Sequence, residues 1–230
     1  MTMKNIAEVL ESVKTVGIGG HIRPDGDCVG SCMALYLYIR TYFPDIDVTV
    51  YLDHPKPIFG HIECIDEIKT EADDSVYDLF ITCDVSARDR LALAGNLFEN
   101  AKKTVCIDHH VSNPGFADIN YVQGDISSCC EVLYGILDSE KVTLPIATAI
   151  YTGMVHDTGV FQYSSTSPET MRIAGELMNL SIKKHIFRIR LWDVCLQKVS
   201  FSRTVHALLD ICEEEIWIST ALRAVIWMEL

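Results

Sequence analysis

The sequence predicts an α/β fold in which a parallel β-sheet carries helices on both faces and is followed by a helical tail. In the first half of the 230 residues, short apolar segments alternate with segments of helical spacing, as expected of strands joined by crossover helices. Acidic and histidine residues directly follow three of the apolar segments. This placement indicates a ligand site, because open parallel sheets bind ligands at the carboxyl ends of their strands.

The first half contains four predicted strands and two predicted helices. The strands are the apolar or alternating segments 15–20, 47–52, 77–83 and 103–107. Residues 28–40 and 88–102 have the character of helices between these strands.

The second half is predicted to be mainly helical. Residues 127–139 and 145–156 are expected to form helices, residues 161–166 an extended segment, and Ser167 is expected to begin a further helix. No glycine follows Gly175, and a second α/β domain without turn residues is difficult to build. The predicted division is therefore a domain of residues 1–184 and a helical or poorly ordered tail of residues 185–230.

Composition and charge exclude several classes of protein. A net charge of −13 argues against binding to long duplex nucleic acid, which depends on Lys and Arg. No apolar run approaches the roughly 18 residues that a membrane-spanning helix needs, and the acidic N-terminus does not resemble a signal peptide.

The nine cysteines are scattered without a CxxC pair. We therefore expect a cytoplasmic protein with reduced thiols, no membrane contact, and neither a disulfide framework nor a cysteine zinc site.

Four clusters of acidic and histidine residues are the candidates for chemistry. They are His21 with Asp25 and Asp27, then Asp84, then Asp108 with His109 and His110, and finally His156 with Asp157. We expect Asp25 and Asp27 to lie in an extended loop with their side chains on the same side. Two carboxylates held so close repel each other unless they share a cation or a proton.

The residue types favour metal ions. The predicted ligands are His21, Asp25, Asp27, Asp84, His109 and Asp157. A mixed imidazole and carboxylate set suits Mn²⁺ better than Ca²⁺, which prefers oxygen alone. Four aspartates match the charge of two divalent cations, and two such ions about 3.5–4 Å apart clamp a phosphoryl group during in-line displacement.

Each cluster taken alone also fits a structural role. Aspartates after strands commonly form turns and helix caps. His156 is predicted to be a structural residue at the end of a helix. The remaining histidines have no companions and are expected to be structural or exposed: His54, His61, His185 and His206. It is the joint occurrence of the clusters at strand ends that favours a metal site.

The combined motifs resemble those of a known family. HIRPDGDCVGS at 21–31, the aspartate after the third strand, IDHH followed by VSNPGF, and GMVHDTGVFQYSSTSPET at 153–170 are similar to the four motifs of the DHH phosphoesterase superfamily. Gly30-Ser31 and the segments 127–134 and 156–164 are most similar to its NrnA-like branch. That branch contains oligoribonucleases that degrade very short RNA and also remove phosphate from 3′-phosphoadenosine 5′-phosphate. The resemblance covers roughly residues 1–180.

The resemblance implies a Rossmann-like catalytic domain and a Mn²⁺-dependent phosphoesterase. Its substrates would be short single-stranded oligoribonucleotides or a nucleoside bisphosphate, hydrolysed by a hydroxide that two divalent cations activate. One ion would be held by His21, Asp25 and Asp84, and the other by Asp27, Asp84, His109 and Asp157. His110 would face the scissile phosphate, and Asp108 would orient a ligand histidine. Weaker candidates for substrate contacts are Arg23, Ser128, Glu131 and Ser164.

Residues 185–230 depart from the family pattern. Members of the branch normally continue into a smaller DHH-associated domain with a glycine-rich loop, which this tail does not resemble. We therefore expect a complete metal site without the substrate clamp, in a chain that is truncated or frame-changed near residue 185. Apolar surface left uncovered favours a homodimer contact. A family II inorganic pyrophosphatase and an inactive metal- or nucleotide-binding remnant remain as alternative functions.

Overall fold

A five-stranded parallel sheet forms the centre of the structure, a computed structural model that describes residues 5–180. The strands are β1 (Thr15–Gly19), β2 (Asp47–Tyr51), β3 (Leu79–Cys83), β4 (Thr104–Asp108) and β5 (Ile119–Val122). Their order is β2-β1-β3-β4-β5, and all neighbours are parallel. The predicted α/β class is therefore confirmed. The predicted tail of residues 185–230 lies outside the described residues.

Helices connect the strands and cover the sheet. They are α1 (Ile6–Leu10), α2 (Gly26–Tyr42), α3 (Gly95–Glu99), α4 (Cys129–Ile136), α5 (Leu144–Asp157) and α6 (Pro168–Asn179), with short 3₁₀ segments at Pro57–Phe59, Ile65–Glu67, Arg88–Ala94 and Ser139–Lys141. Across residues 5–180, no helix combines the length and the apolarity needed to cross a lipid bilayer.

Both faces of the sheet carry a buried core. Successive side chains of a strand point to opposite faces, and β3 illustrates this. Ile81 packs into the larger core with α2, α4 and α5, whereas Phe80 packs into a second core with Leu97 and Phe98 of α3. The prediction of helices on both faces is confirmed.

Helices α2 and α5 pack closely enough to bring the predicted ligands together. A Cβ at Gly30 would lie 2.5 Å from the carbonyl oxygen of Ala149. A Cβ at Gly153 would clash with the thiol of Cys130 and would lie 2.7 Å from Asp27 Oδ1. Because both positions lack a side chain, the start of α2 and the end of α5 can meet beside the sheet.

Three local predictions were wrong. Residues 88–102 are not one α-helix: the 3₁₀ segment Arg88–Ala94 precedes α3, and Gly95, the first residue of α3, disfavours a continuous helix. Strand β5 was missed because, of its four residues, only Tyr121 is buried. Residues 161–166 form turns instead of an extended segment, because the Thr158 hydroxyl accepts a hydrogen bond of 2.9 Å from the backbone N–H of Phe161.

Candidate metal centre

The predicted ligands meet where strands β1 and β3 end. His21 follows β1 by two residues, Asp84 directly follows β3, and Asp108 is the last residue of β4. The connection that leaves β1 leads to β2, toward one edge of the sheet, whereas the connection that leaves β3 leads to β4, toward the other edge. Such a reversal between neighbouring strands opens a crevice at their carboxyl ends. The site therefore lies where sheets of this type bind their ligands.

Asp84 lies between two histidines. Its side chain is almost fully buried, with Oδ2 3.4 Å from His21 Nε2 and Oδ1 3.5 Å from His109 Nε2. Its backbone adopts φ of 59°, a left-handed conformation that aspartate tolerates better than most residues. Oδ1 is buried and has no hydrogen-bond partner within the described residues. A buried carboxylate oxygen without a partner is costly unless a cation or proton occupies its vicinity.

Backbone carbonyls orient both histidines. His21 donates from Nδ1 to the carbonyl oxygen of Ile22 at 2.8 Å, and His109 donates from Nδ1 to that of Ile126 at 3.3 Å. Each ring therefore presents Nε2 to the carboxylates. This arrangement is usual for metal-binding histidines, whose second nitrogen is held by a carbonyl or a carboxylate.

Asp25 is the N-cap of helix α2, and the prediction that Asp25 and Asp27 share an extended loop was wrong, because Asp27 lies within the helix. The Asp25 carboxylate accepts hydrogen bonds from the backbone N–H of Asp27 at 3.0 Å and of Cys28 at 3.2 Å. Aspartate is among the preferred N-cap residues, and its charge is favourable at a helix N-terminus. Its Oδ1 nevertheless remains 3.8 Å from His21 Nε2, so this N-cap residue also faces the site.

Asp27 lies in the first turn of α2 and is fully buried. Its two oxygens accept hydrogen bonds from the backbone N–H groups of Cys129 at 2.6 Å and Cys130 at 2.9 Å, at the start of α4. Oδ2 also lies 3.7 Å from His109 Nε2. Burial and the neighbouring charges of Asp84 and Asp157 raise the pKa of Asp27, which indicates crowded negative charge.

Asp157 ends helix α5 and completes the group around His109. Its Oδ2 lies 3.2 Å from His109 Nε2. Burial lowers the pKa of His109, but the close carboxylate of Asp84 and the charges of Asp27, Asp84 and Asp157 outweigh it and raise this pKa to about 10. The negative charge concentrated around this ring is of the kind that a bound cation neutralises.

His110 is held by Asp108 and Asn113. The fully buried Asp108 accepts from His110 Nδ1 at 2.7 Å through one oxygen and from Asn113 Nδ2 at 2.7 Å through the other. Asn113 also donates to the carbonyl oxygen of Val85 at 3.0 Å. Asp108 thus orients His110. It does not orient the predicted ligand histidines His21 and His109, whose Nδ1 atoms donate to backbone carbonyl oxygens instead. The Nε2 atom of His110 is left for a ligand.

Two of the weaker candidates lie in the core and not at the site. Ser128 is the N-cap of α4 and accepts from the backbone N–H of Glu131 at 3.1 Å. The buried Glu131 accepts from the hydroxyls of Ser127 and Thr170, the latter at 2.8 Å. These side chains join α4 to α6. Arg23 and Ser164 are exposed, in the loop before α2 and the turn after α5.

The structure adds two residues to the site. The Cys28 thiol lies within 4.8 Å of ligand atoms of His21 and Asp84. The His156 ring packs edge-on against Phe59, as a structural residue would, but its Nδ1 is buried without a partner, and the ring lies with Asp25 and Asp157. Both directly adjoin a predicted ligand in sequence, and that adjacency is the one signal that could have identified them.

These residues fit divalent cations. Several groups of three offer ligand atoms within 4.8 Å of one another: His21–Cys28–Asp84, Asp84–His109–His110, Asp25–His156–Asp157 and Asp27–His109–Asp157. The unpartnered oxygen of Asp84 and the unpartnered Nδ1 of His156 are donor atoms of the type that metal ions need. The concentration of carboxylates in a buried crevice supplies the matching charge.

Comparison with known proteins places the chain in a family. Residues 15–154 match the family model described as the DHH family, N-terminal domain. The chain is 26% identical over 204 residues to the bifunctional oligoribonuclease and PAP phosphatase NrnA of Bacillus subtilis, with 86% of this chain and 64% of that protein aligned. It is 31% identical over 185 residues to the NrnA protein of Mycoplasma pneumoniae, with 75% and 56% aligned.

A solved structure shares the fold. The exopolyphosphatase-related protein from Bacteroides fragilis matches with a TM-score of 0.68 at 23% identity, over 84% of this chain and 64% of that one. The chain spans less than two thirds of the length of each of these proteins. Since the family model matches more than half of the residues, the chain belongs to the DHH family, as its motifs predicted.

Proposed function

We propose that this domain hydrolyses phosphate esters with two bound divalent cations, acting on very short oligoribonucleotides, on 3′-phosphoadenosine 5′-phosphate, or on both. The observation that carries the proposal is the position of Asp84, which turns one oxygen toward His21 and the other toward His109. A carboxylate with a histidine on each oxygen is suited to bridge two metal ions.

The ligands divide into two sets around Asp84. His21, Asp25 and Asp84 would hold one ion; Asp27, Asp84, His109 and Asp157 would hold the other. When bound, two such ions act as Lewis acids on the phosphoryl group and lower the pKa of the attacking water. The mixed nitrogen and oxygen donors favour Mn²⁺ in this role.

His110 would bind the scissile phosphate. Its Nδ1 is fixed by Asp108, so Nε2 is the atom available to donate a hydrogen bond to a phosphoryl oxygen. The half-buried ring lies next to Asp84, with Nδ1 3.6 Å from Asp84 Oδ1. The proximity of the ring to this proposed ligand supports a role of His110 where the charge of the reaction would develop.

The proposed substrates are supported by the relatives. The aligned proteins of Bacillus subtilis and Mycoplasma pneumoniae are named as oligoribonucleases and PAP phosphatases. Small phosphorylated substrates also agree with the acidic chain, because cations in a local site attract an anion whatever the global charge.

Phosphate release from 3′-phosphoadenosine 5′-phosphate with Mn²⁺ tests the proposal, with a diribonucleotide and pyrophosphate as parallel substrates. We expect hydrolysis of the first or the second, and its loss in Asp84→Asn. Asp138→Asn is the matched control, because Asp138 caps a short 3₁₀ segment outside the site and asparagine preserves the cap. Preferential cleavage of pyrophosphate would favour the pyrophosphatase alternative. Metal binding without any hydrolysis would favour the inactive remnant.

A further inference from the structure

We propose that Cys28 is an additional ligand at the metal position of His21 and Asp84, and that this position therefore prefers a thiophilic divalent cation such as Zn²⁺ over Mn²⁺ or Mg²⁺. The inference rests on the proposed metal centre and makes its two positions chemically different. It departs from the sequence-based expectation that no cysteine binds zinc, which considered only paired cysteines.

Cys28 has the position that a ligand requires. It directly follows Asp27 in the first turn of α2, is fully buried, and has its thiol within 4.8 Å of a ring nitrogen of His21. His21, Cys28 and Asp84 each offer a ligand atom within 4.8 Å of the others. One imidazole nitrogen, one sulfur and one carboxylate oxygen thus surround a common point.

A second observation concerns the carboxylate that this group shares with the His109 position. Asp84 is 3% exposed, and its Oδ1, 3.5 Å from His109 Nε2, has no hydrogen-bond partner among the described residues. Its Oδ2 lies 3.4 Å from His21 Nε2 and so faces the group that contains Cys28. A buried carboxylate in this condition is expected to gain a cation.

The backbone leaves room for the thiol. A Cβ at Gly20 would clash with Cys28 Sγ and would lie 2.8 Å from a methyl carbon of Leu52. The sulfur therefore occupies space that exists only because residue 20 has no side chain. This close approach fixes the sulfur beside the end of β1, one residue before His21.

Sulfur changes which metal is preferred. Thiolates select Zn²⁺ and similar ions, whereas carboxylates and water suit Mg²⁺ and Mn²⁺. Zn²⁺ commonly binds combinations of cysteine, histidine and carboxylate ligands. The thiol would release its proton to solvent when the ion binds. The group of Asp27, His109 and Asp157 contains no sulfur, so the preference would apply to one position only.

Packing offers the competing explanation. Cys28 also contacts Cys32, which contacts Cys83, and Cys83 contacts Cys129, so the thiol belongs to a buried row of four. Buried cysteines often act as small apolar side chains. A spectroscopic signal from a metal–sulfur bond separates the two explanations, because packing alone produces none.

Titration with Co²⁺ provides this signal. We expect a sulfur-to-cobalt charge-transfer band in the near ultraviolet for the unsubstituted chain and for Cys64→Ala, a control cysteine that is only half-buried. The band should disappear in Cys28→Ala and Cys28→Ser. In competition measurements, the preference for Zn²⁺ over Mn²⁺ should fall at least about tenfold in both variants.

The outcomes distinguish the two levels of the proposal. Bound Co²⁺ with visible d–d bands but no charge-transfer band, or a band that survives in both Cys28 variants, overturns the role of Cys28 and leaves the metal centre intact. No Co²⁺ binding by the unsubstituted chain overturns the metal centre as well. The serine variant, which nearly preserves the side-chain volume, keeps the test valid if the alanine variant fails to fold; far-ultraviolet circular dichroism identifies that case.

Discussion

Asp27 accepts a hydrogen bond of 2.6 Å from the backbone N–H of Cys129, 102 residues further along the chain. Its other oxygen accepts from Cys130, and the carboxylate also lies 3.7 Å from His109 Nε2. One buried side chain therefore joins α2 to the start of α4 and faces the candidate metal centre. Stability and the proposed metal binding would therefore be coupled at this residue.

Substitutions at Asp27 should separate these two roles. Asp27→Ala leaves two buried N–H groups without acceptors, and at about 1–3 kcal/mol for each we expect a large loss of unfolding free energy. Asp27→Asn retains one acceptor and should lose less stability, while both variants lose metal affinity. Urea unfolding and calorimetric metal titration measure the two effects. Equal destabilisation by alanine and asparagine would contradict the capping role.

Divalent cations should stabilise the folded chain. Asp25, Asp27, Asp84 and Asp157 converge in one crevice, so a cation that binds only the folded state relieves their repulsion. At a concentration about 100 times its Kd, such an ion adds about 2.7 kcal/mol. We expect Mn²⁺ to raise the melting temperature, EDTA to reverse this, and Asp84→Asn to abolish it. An unchanged melting temperature in the unsubstituted chain would argue against a metal centre.

Asn113→Ala should impair hydrolysis more than metal binding. Asn113 holds Asp108, which in turn holds His110, and none of the three belongs to the proposed ligand sets. We expect kcat to fall about 10–100-fold, a range typical for residues that orient a functional group, with little change in metal affinity. Asn120→Ala is the control, because the exposed side chain of Asn120, on the edge strand β5, hydrogen-bonds to the backbone of Ala117 and not to the His110 network. A parallel loss of metal affinity would show that the network supports the ligands themselves.

Glu131→Ala should destabilise the fold without changing the chemistry of the site. The Glu131 carboxylate accepts from Ser127 and Thr170 and so joins α4 to α6. Its removal takes the acceptor away from the buried Ser127 hydroxyl, whereas Thr170 keeps its bonds with Ser167, so we expect a cost of about 1–3 kcal/mol. Below the melting temperature of the variant, we expect KM and kcat to be retained. A raised KM with unchanged stability would restore Glu131 as a substrate contact.

Gly153→Ala should disturb both packing and the site. The added methyl group would clash with Cys130 and approach Asp27 Oδ1, and overpacking of this kind costs about 1–3 kcal/mol. The same substitution at Gly175 meets no atom within 4 Å and should instead stabilise α6 by about 0.5–1 kcal/mol. Thermal unfolding of the two variants provides the comparison. If Gly153→Ala and Gly175→Ala had the same melting temperature, the close contact of α2 and α5 would not be required for stability.

The sequence alone determined the elements with strong local patterns. Strands β1 to β4 and helices α2, α4, α5 and α6 agree with their predictions within a few residues, because hydrophobic periodicity and capping residues act over short distances. Strand β5 and the 3₁₀ segment Arg88–Ala94 were not predicted, since a short half-exposed strand and a glycine-interrupted helix have weak local signals. The convergence of the acidic clusters followed from strand order in a parallel sheet.

Only the tertiary structure decided what each side chain contacts. The sequence placed Asp27 in a loop, yet the fold places it in a helix, where amides from 102 residues away satisfy it. The fold likewise turned Ser128 and Glu131 into the core and brought Cys28 and His156 to the ligands. The physical reason is that residue type and spacing specify which groups can bind a cation, whereas their partners depend on the close packing of α2 against α4 and α5. A local sequence pattern does not specify that packing.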